Sequence, residues 1–418
     1  MARAFIEADY LLETPDDIRR VAEFMAGEQS SGTFVAVPGE TPELKARVAA
    51  RVVGLEQIGE TDAPALPSAR MTADGKTFRR ALVTLAWPLD TLGPSLPNLM
   101  ATVAGNLFEL GPVTGLKLLD IRLPEEFAAA YRGPRFGVEG TRRLAGVDNR
   151  PLIGTIIKPS VGLGPRETAS LVDELCAAGI DFIKDDELQS DGPACPFDAR
   201  VEEVMRVIDR HAQKSGKKVM YAFNLTGDLD QMRRRHDTLL KHGATCMMAS
   251  LNSVGLVGMI ELARFGQLPI HAHRNGWGYL ARHPLLGWSY VAWQKIWRLA
   301  GADHMHVNGI GNKFAEDDAS CIASARECLT PMFNSRSCTV MPVFSSAQTA
   351  RQAPATYQGL SSTDLIVTAG GGIMAHPQGA AAGVAAMQEA WQAALAGVSL
   401  EEFARNRPHL RQALDTAA

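Results

Sequence analysis

Little in this chain ties it to an oxidising compartment, a membrane or a nucleic acid. Its six cysteines, at 176, 195, 246, 321, 328 and 338, form no CxxC pair, which leaves neither a zinc knuckle nor a disulfide framework to build on. Reduced, mostly buried thiols in a cytoplasmic protein are the expectation. No apolar run is long enough to span a bilayer. The first ten residues carry acids early and lack an apolar core, unlike a signal peptide. Charge is nearly balanced, with 42 Lys and Arg against 46 Asp and Glu, so there is no basic footprint for nucleic acid. What remains is a globular composition, 46% apolar over 418 residues, too long for one ordinary core and comfortable for two domains.

One stretch concentrates the chemistry. In Asp181-Phe-Ile-Lys-Asp-Asp-Glu187 an apolar run ends in a lysine and three carboxylates. Side chains alternate along a strand, so Lys184 and Asp186 share a face, and Glu187 follows where the strand gives way to a loop. Carboxylates this close repel unless a cation lies between them. A hard divalent ion, most simply Mg²⁺, meets that need with oxygen ligands. Lys184 cannot ligate a metal as an ammonium, but CO₂ added to its amine makes a carbamate with an oxygen to offer. The plainer reading is a salt-bridged lysine at a strand end.

Residues 1–130 mix strand-like and helix-like segments. Thr14-Pro15-Asp16-Asp17 opens a helix through Met25, with cap, proline and acids in order. Segments 32–38, 48–58 and 78–87 read as strands, and 98–106 as a second helix. Helices against a small antiparallel sheet predict an α+β domain of ferredoxin-like type. Glu28 to Phe34 is a polar, glycine-broken turn able to hold an anion, and Gly105-Asn106 interrupts an apolar stretch; both patterns are more often plain turns than sites.

From 131 to 418 strand and helix candidates alternate. Strands are predicted over 152–158, 181–187, 218–225, 246–252, 269–275, 303–308, 339–345 and 364–369, with helical segments between. Eight such units predict a (β/α)₈ TIM barrel. Polar residues fall at the strand ends: Lys158; Lys184, Asp186 and Glu187; Asn224; His271, His273 and Arg274; His304, His306 and Asn308; Ser345 and Ser346; Gly370, Gly371 and Gly372. A barrel keeps its reactive groups at the C-terminal ends of its strands, which favours the metal reading over the salt bridge. Gly370 to Gly372 follow the last strand, where barrels bind phosphate through backbone N–H groups. A four-histidine zinc site is a competing reading, but it ignores the acids on the second strand.

In motif and order, the chain resembles ribulose-bisphosphate carboxylase large subunits, and more closely the RuBisCO-like proteins. The motifs are Gly154-Thr-Ile-Ile-Lys-Pro159 with Gly162-Leu163, Phe182-Ile-Lys-Asp-Asp-Glu187, His271-Ala-His-Arg274, Asp303-His-Met-His306, Pro342-Val-Phe-Ser345, and Gly370-Gly-Gly372 with His376-Pro377. The resemblance implies that Lys184 carries the carbamate and, with Asp186 and Glu187, holds Mg²⁺. It implies Lys158 as acid/base, His273 near substrate hydroxyls, and Lys313 as the mobile-loop lysine. Arg274, His306 and Ser345 are implied to bind phosphate or polar substrate groups. Gly370, Gly371 and Thr33 would line another phosphate site. Glu28 and Asn106 would come from a partner subunit, making the enzyme a homodimer or larger.

The departures are as informative. Ser160 stands where the carboxylases carry a second lysine, Trp277 where they carry a histidine, Phe34 in place of a tryptophan, and Ala347 in place of a glycine. The loop around Lys313 lacks the usual motif. These changes serve two phosphates poorly, so bisphosphate carboxylation is not expected. The apparatus for an enediolate remains, because a metal ion polarises a ketone and stabilises the charge that develops on oxygen. Retention of Lys313, a cation for a carboxylate, points to a decarboxylase or transcarboxylase/hydrolase of 3-oxo-isoapionate 4-phosphate. The alternatives are an enolase or isomerase of methylthio-pentulose phosphates and a non-catalytic scaffold.

Overall fold

Strict alternation organises the N-terminal part of the chain. In the computed structural model, which describes residues 3–32, 37–67 and 77–416, strand β1 spans Phe5–Thr14, and its Ile6, Ala8, Tyr10 and Leu12 are all buried. Strands β2 (Arg51–Thr61), β3 (Phe78–Pro88) and β4 (Gly115–Arg122) follow. With β10 (Leu286–Trp288) they form one sheet in the order β10-β4-β1-β3-β2, antiparallel except for the β10–β4 pair. The first compact unit therefore takes in Met1–Arg132 together with Gly276–Leu299 and Met332–Ser337.

The expected first helix is present as Ile18–Glu28, with the Asp17 side chain accepting from the Arg20 N–H at its start. The predicted strand over 48–58 starts later, at Arg51, because Thr41, Pro42 and Glu43 cap, start and charge a helix over Pro42–Val48. The second helix runs Leu96–Ala104 and passes into a 3₁₀ turn at Asn106–Glu109. Strands β1 and β4 were not anticipated, although β1 alternates as a half-buried strand should. Residues 33–36, the middle of the strand predicted over 32–38, lie outside the described residues.

The second unit comprises Gly133–Asn275, Ala300–Pro331 and Cys338–Ala418. Its strands are β5 (Leu152–Ile156), β6 (Phe182–Lys184), β7 (Met220–Asn224), β8 (Cys246–Ser250), β9 (Ile270–His273), β11 (His304–His306), β12 (Met341–Phe344) and β13 (Ile366–Thr368). They close into a barrel of parallel neighbours, as the alternating pattern predicts. The intervening helices include Pro165–Ala177, Phe197–Ser215, Leu229–Lys241 and Ala380–Ala396.

Inside the barrel, Leu152, Phe182, Met220, Cys246, Met341 and Ile366 pack into one apolar cluster with Ala145 and Val147. Each is the first interior residue of its strand. The period of two then sets the next ones: Lys184 and Asp186 continue the row of Phe182, Asn224 that of Met220, Ser345 that of Met341, and Lys158 that of Leu152. The apolar floor and the polar mouth are successive layers of the same rows.

Candidate active site

Lys184 ends β6 with its side chain 1% exposed. Burial lowers its pKa, opposed by the nearby Glu187, Asp186 and Asp185 carboxylates. Its Nζ lies 3.6 Å from Glu187 Oε2. Lys158 Nζ donates to Asp186 Oδ2 at 2.7 Å and to Ser160 Oγ at 2.7 Å. Burial works against the Asp186 carboxylate, but Lys158, the Leu188 N–H and Ser160 together more than offset this and its pKa falls. The pKa of Glu187 is likewise lowered, with His273 and Lys184 overcoming burial. His273 Nε2 is 3.4 Å from Glu187 Oε2, and its Nδ1 accepts from the Asn275 N–H at 3.2 Å. Burial, with Lys184 nearby, takes the pKa of His273 down to about 4, so the ring is neutral at pH 7. Lys158, Lys184, Asp186, Glu187 and His273 thus form one connected group at the barrel mouth.

The backbone of this segment is fixed from the outer face. Asp185 points away from Lys184 and Asp186, as alternation requires, and lies buried against Arg200, 3.2 Å from its Nε. Tyr221 Oη donates to Asp185 Oδ1 at 2.6 Å and the Asn224 N–H to Oδ2 at 2.8 Å. The Asn224 side chain reaches back to the carbonyl of Glu187 at 3.1 Å. A buried carboxylate with all its partners is a stiff anchor, and here it sets the direction in which its two neighbours point.

His306 connects the next part of the site. Its Nδ1 lies 3.0 Å from Ser345 Oγ and its Nε2 2.7 Å from His271 Nε2. Burial holds both imidazoles well below their usual pKa. His304 is deeper, with Nε2 2.9 Å from Thr141 Oγ1, and burial lowers its pKa to about 3. Arg274 turns to Glu316, with Nη2 donating to Oε2 at 2.6 Å. Gly370 lies close to Lys158, since a Cβ there would come 3.6 Å from Lys158 Cε, whereas one at Gly371 meets nothing within 4 Å.

Lys313 stands apart, exposed on the loop after β11 with Nζ 5.4 Å from the centre of the Phe314 ring. The base of that loop is held tightly. Asn312 Nδ2 donates to the carbonyls of Gly309 and Glu316 at 2.9 and 3.1 Å. Gln348 Nε2 donates to the Ile310 carbonyl at 3.1 Å, and a Cβ at Gly309 would come 2.3 Å from the Gln348 side chain. Ser346 and Ala347, just before Gln348, both take left-handed backbone angles, φ 69° and 53°. Such angles strain a residue with a Cβ. Glu28 and Asn106 lie in the first unit, 3.4 Å apart between Oε1 and Nδ2. Thr33 and Phe34 lie outside the described residues.

Comparison with known proteins places the chain. Residues 137–417 match the ribulose bisphosphate carboxylase large chain catalytic domain, and residues 13–127 the N-terminal domain of the same family. The chain belongs to the ribulose bisphosphate carboxylase large-chain family. It is 58% identical over 409 residues to a 3-oxo-isoapionate-4-phosphate transcarboxylase/hydrolase of Xanthobacter autotrophicus, covering 98% of each chain. It is 46% identical over 408 residues to a 3-oxo-isoapionate-4-phosphate decarboxylase of Rhizobium rhizogenes, covering 97% of this chain and 96% of that one. Among solved structures, a rubisco-like protein from Burkholderia fungorum matches with a TM-score of 0.93 at 48% identity, covering 99% of this chain and 100% of that one.

Within this large-chain frame, several residues were missed by reading the sequence. Ser160 was noted only as a departure from the family, yet it accepts from Lys158. Asp185 was counted with its acidic neighbours rather than apart from them; its odd place in the alternation was the available signal. Glu316 and Gln348 carried none, because their partners are distant in sequence. Trp277 packs in the first unit against Tyr290 and Trp293, with ring centres 5.5 and 4.8 Å away.

Proposed function

We propose that the protein is a Mg²⁺-dependent enzyme that breaks a C–C bond of 3-oxo-isoapionate 4-phosphate through an enediolate, as a transcarboxylase/hydrolase. The observation that carries this reading is the connected group of Lys158, Lys184, Asp186, Glu187 and His273, in a chain 58% identical over nearly its whole length to a protein of that name. The decarboxylase named among the 46% relatives is the second reading.

The residues fit the implied metal once CO₂ is counted. Among the described residues no three His, Cys, Asp or Glu are grouped to hold an ion. Asp186 and Glu187 supply two carboxylates, and a carbamate on Lys184 supplies the third oxygen-bearing group. Burial favours the neutral amine of Lys184, the form that attacks CO₂, releasing a proton as the carbamate forms. When bound, the ion acts as a Lewis acid toward the substrate ketone and its neighbouring oxygen. Lys158 then holds or delivers a proton at the reacting carbon. Its Nζ is positioned by Ser160 and Asp186. The neutral His273 ring orients a substrate hydroxyl. Lys313 comes in from its loop as a cation for the substrate carboxylate. Glu28 and Asn106 serve the barrel of a neighbouring subunit, so the working enzyme is at least a homodimer. No helix among the described residues is long and apolar enough to cross a membrane.

The test is turnover of 3-oxo-isoapionate 4-phosphate with Mg²⁺ and bicarbonate, followed by NMR of the products. A carboxyl retained in a product supports the transcarboxylase/hydrolase, and CO₂ release the decarboxylase. No turnover of this substrate, with turnover of a methylthio-pentulose phosphate instead, overturns both.

A further inference from the structure

The Arg274 end of the site already contains an anion. Glu316 Oε2 accepts from Arg274 Nη2 at 2.6 Å and from Asn308 Nδ2 at 2.6 Å, while Oε1 accepts from Ser320 Oγ at 3.0 Å. The two charged side chains are only 7% and 15% exposed, so water screens the pair little. Both carboxylate oxygens are engaged, and the backbone carbonyl of Glu316 is held by Asn312 at 3.1 Å. The carboxylate is therefore built into the wall rather than resting on it. The other groups at this end, His306 and Ser345, offer neutral partners, since burial keeps the imidazole uncharged.

We infer that Glu316 sets the charge specificity of this site: by holding Arg274 and Asn308 it rejects a phosphate at that end and admits an uncharged, hydroxyl-bearing one. The substrate class that follows is a sugar-derived monophosphate, with bisphosphates excluded. A second phosphate would face a largely enclosed carboxylate of its own sign and compete with it for the same guanidinium. Discrimination of this kind works through the repulsive element as much as the attractive one. The inference rests on the barrel mouth being a sugar-phosphate site for the monophosphate proposed above, and adds the residue that excludes a second phosphate, Glu316.

The test is calorimetric binding of ribulose 5-phosphate and ribulose 1,5-bisphosphate, with Mg²⁺ and bicarbonate present, to the wild-type protein, Glu316→Gln and Glu316→Asp. Thermal melts confirm that each variant is folded. Glu316→Gln keeps the shape and removes the charge. It is expected to shift the affinity ratio toward the bisphosphate by about tenfold, and Glu316→Asp to restore the wild-type ratio. A shift of roughly threefold or more supports the inference, and a smaller one overturns it. A wild-type protein that already prefers the bisphosphate overturns it as well. If neither ligand binds any of the three proteins, the sugar-phosphate reading of the site falls, and the inference with it. Binding of both at an unchanged ratio removes the inference alone.

Discussion

The two ends of the barrel treat their acids differently. At the N-terminal ends of the strands, Asp181 and Asp303 are saturated. Asp181 accepts from Arg150 Nη2 at 2.9 Å, from Lys217, and from the Ile153 N–H at 2.8 Å. Asp303 accepts three backbone N–H groups, of Phe136, Gly137 and Ile270, at 2.6, 2.8 and 2.9 Å. At the C-terminal ends, Asp186 accepts from Lys158 and, at 3.2 Å, from the Leu188 N–H, while Glu187 has, among the described residues, only the longer contacts to Lys184 and His273, at 3.6 and 3.4 Å. The same residue types therefore act as staples at one end and, in the proposed mechanism, as metal ligands at the other. The difference is how completely backbone and cations satisfy them before any ligand arrives.

That contrast can be broken from either side. The largest effect is expected at the mouth, where Lys158→Ala should lower kcat by about 10²–10⁴-fold, measured as turnover of the proposed substrate, with the melting temperature little changed. Preincubation with bicarbonate and Mg²⁺ should raise wild-type activity and leave Lys184→Met inactive, which a time course of activation checks. Next comes the floor. Asp303→Asn turns an acceptor into a donor facing backbone N–H groups and should cost about 1–3 kcal/mol in urea unfolding, with activity per folded molecule retained. Lys313→Ala is expected to lower kcat by roughly tenfold and to move stability by no more than about 0.5 kcal/mol. Unchanged turnover would remove the case for a carboxylate-bearing substrate.

The floor acids also differ in sign. Burial raises the pKa of Asp181, but Arg150 and Lys217 more than offset it, so the folded value lies below the unfolded one. Its contribution to stability is complete above the unfolded pKa and is lost as pH falls through the folded one. Among the described residues no cation pairs with Asp303; burial raises it to about 6 despite its backbone donors. Its contribution is complete below the unfolded value and is lost as pH rises through about 6. Unfolding free energy measured against pH should therefore lose its acid-side fall below about pH 4 in Asp181→Asn. In Asp303→Asn it should lose its decline toward pH 6.

Most of the barrel was legible because its signal is local. An apolar run that ends in polar residues marks both the strand and the end at which chemistry sits, and Phe182, Lys184 and Asp186 give the facing by alternation alone. The N-terminal sheet was less legible. β10 is three residues long and is paired with β4 across more than a hundred and sixty positions of sequence, which no local pattern announces. In the site, Lys184 and its acids could be read because they are neighbours in sequence. Glu316 and Arg274, separated by 42 residues, could not, since the chain's path alone brings them together.

The contact between Gln348 and Gly309 constrains how this enzyme can be re-engineered or diverge. With a side chain where a Cβ at 309 would have to go, neither segment can be exchanged without the other. A graft of the lysine-bearing loop from a carboxylase must carry the turn after β12 with it. Across related genes, the two stretches should be inherited as a matched pair.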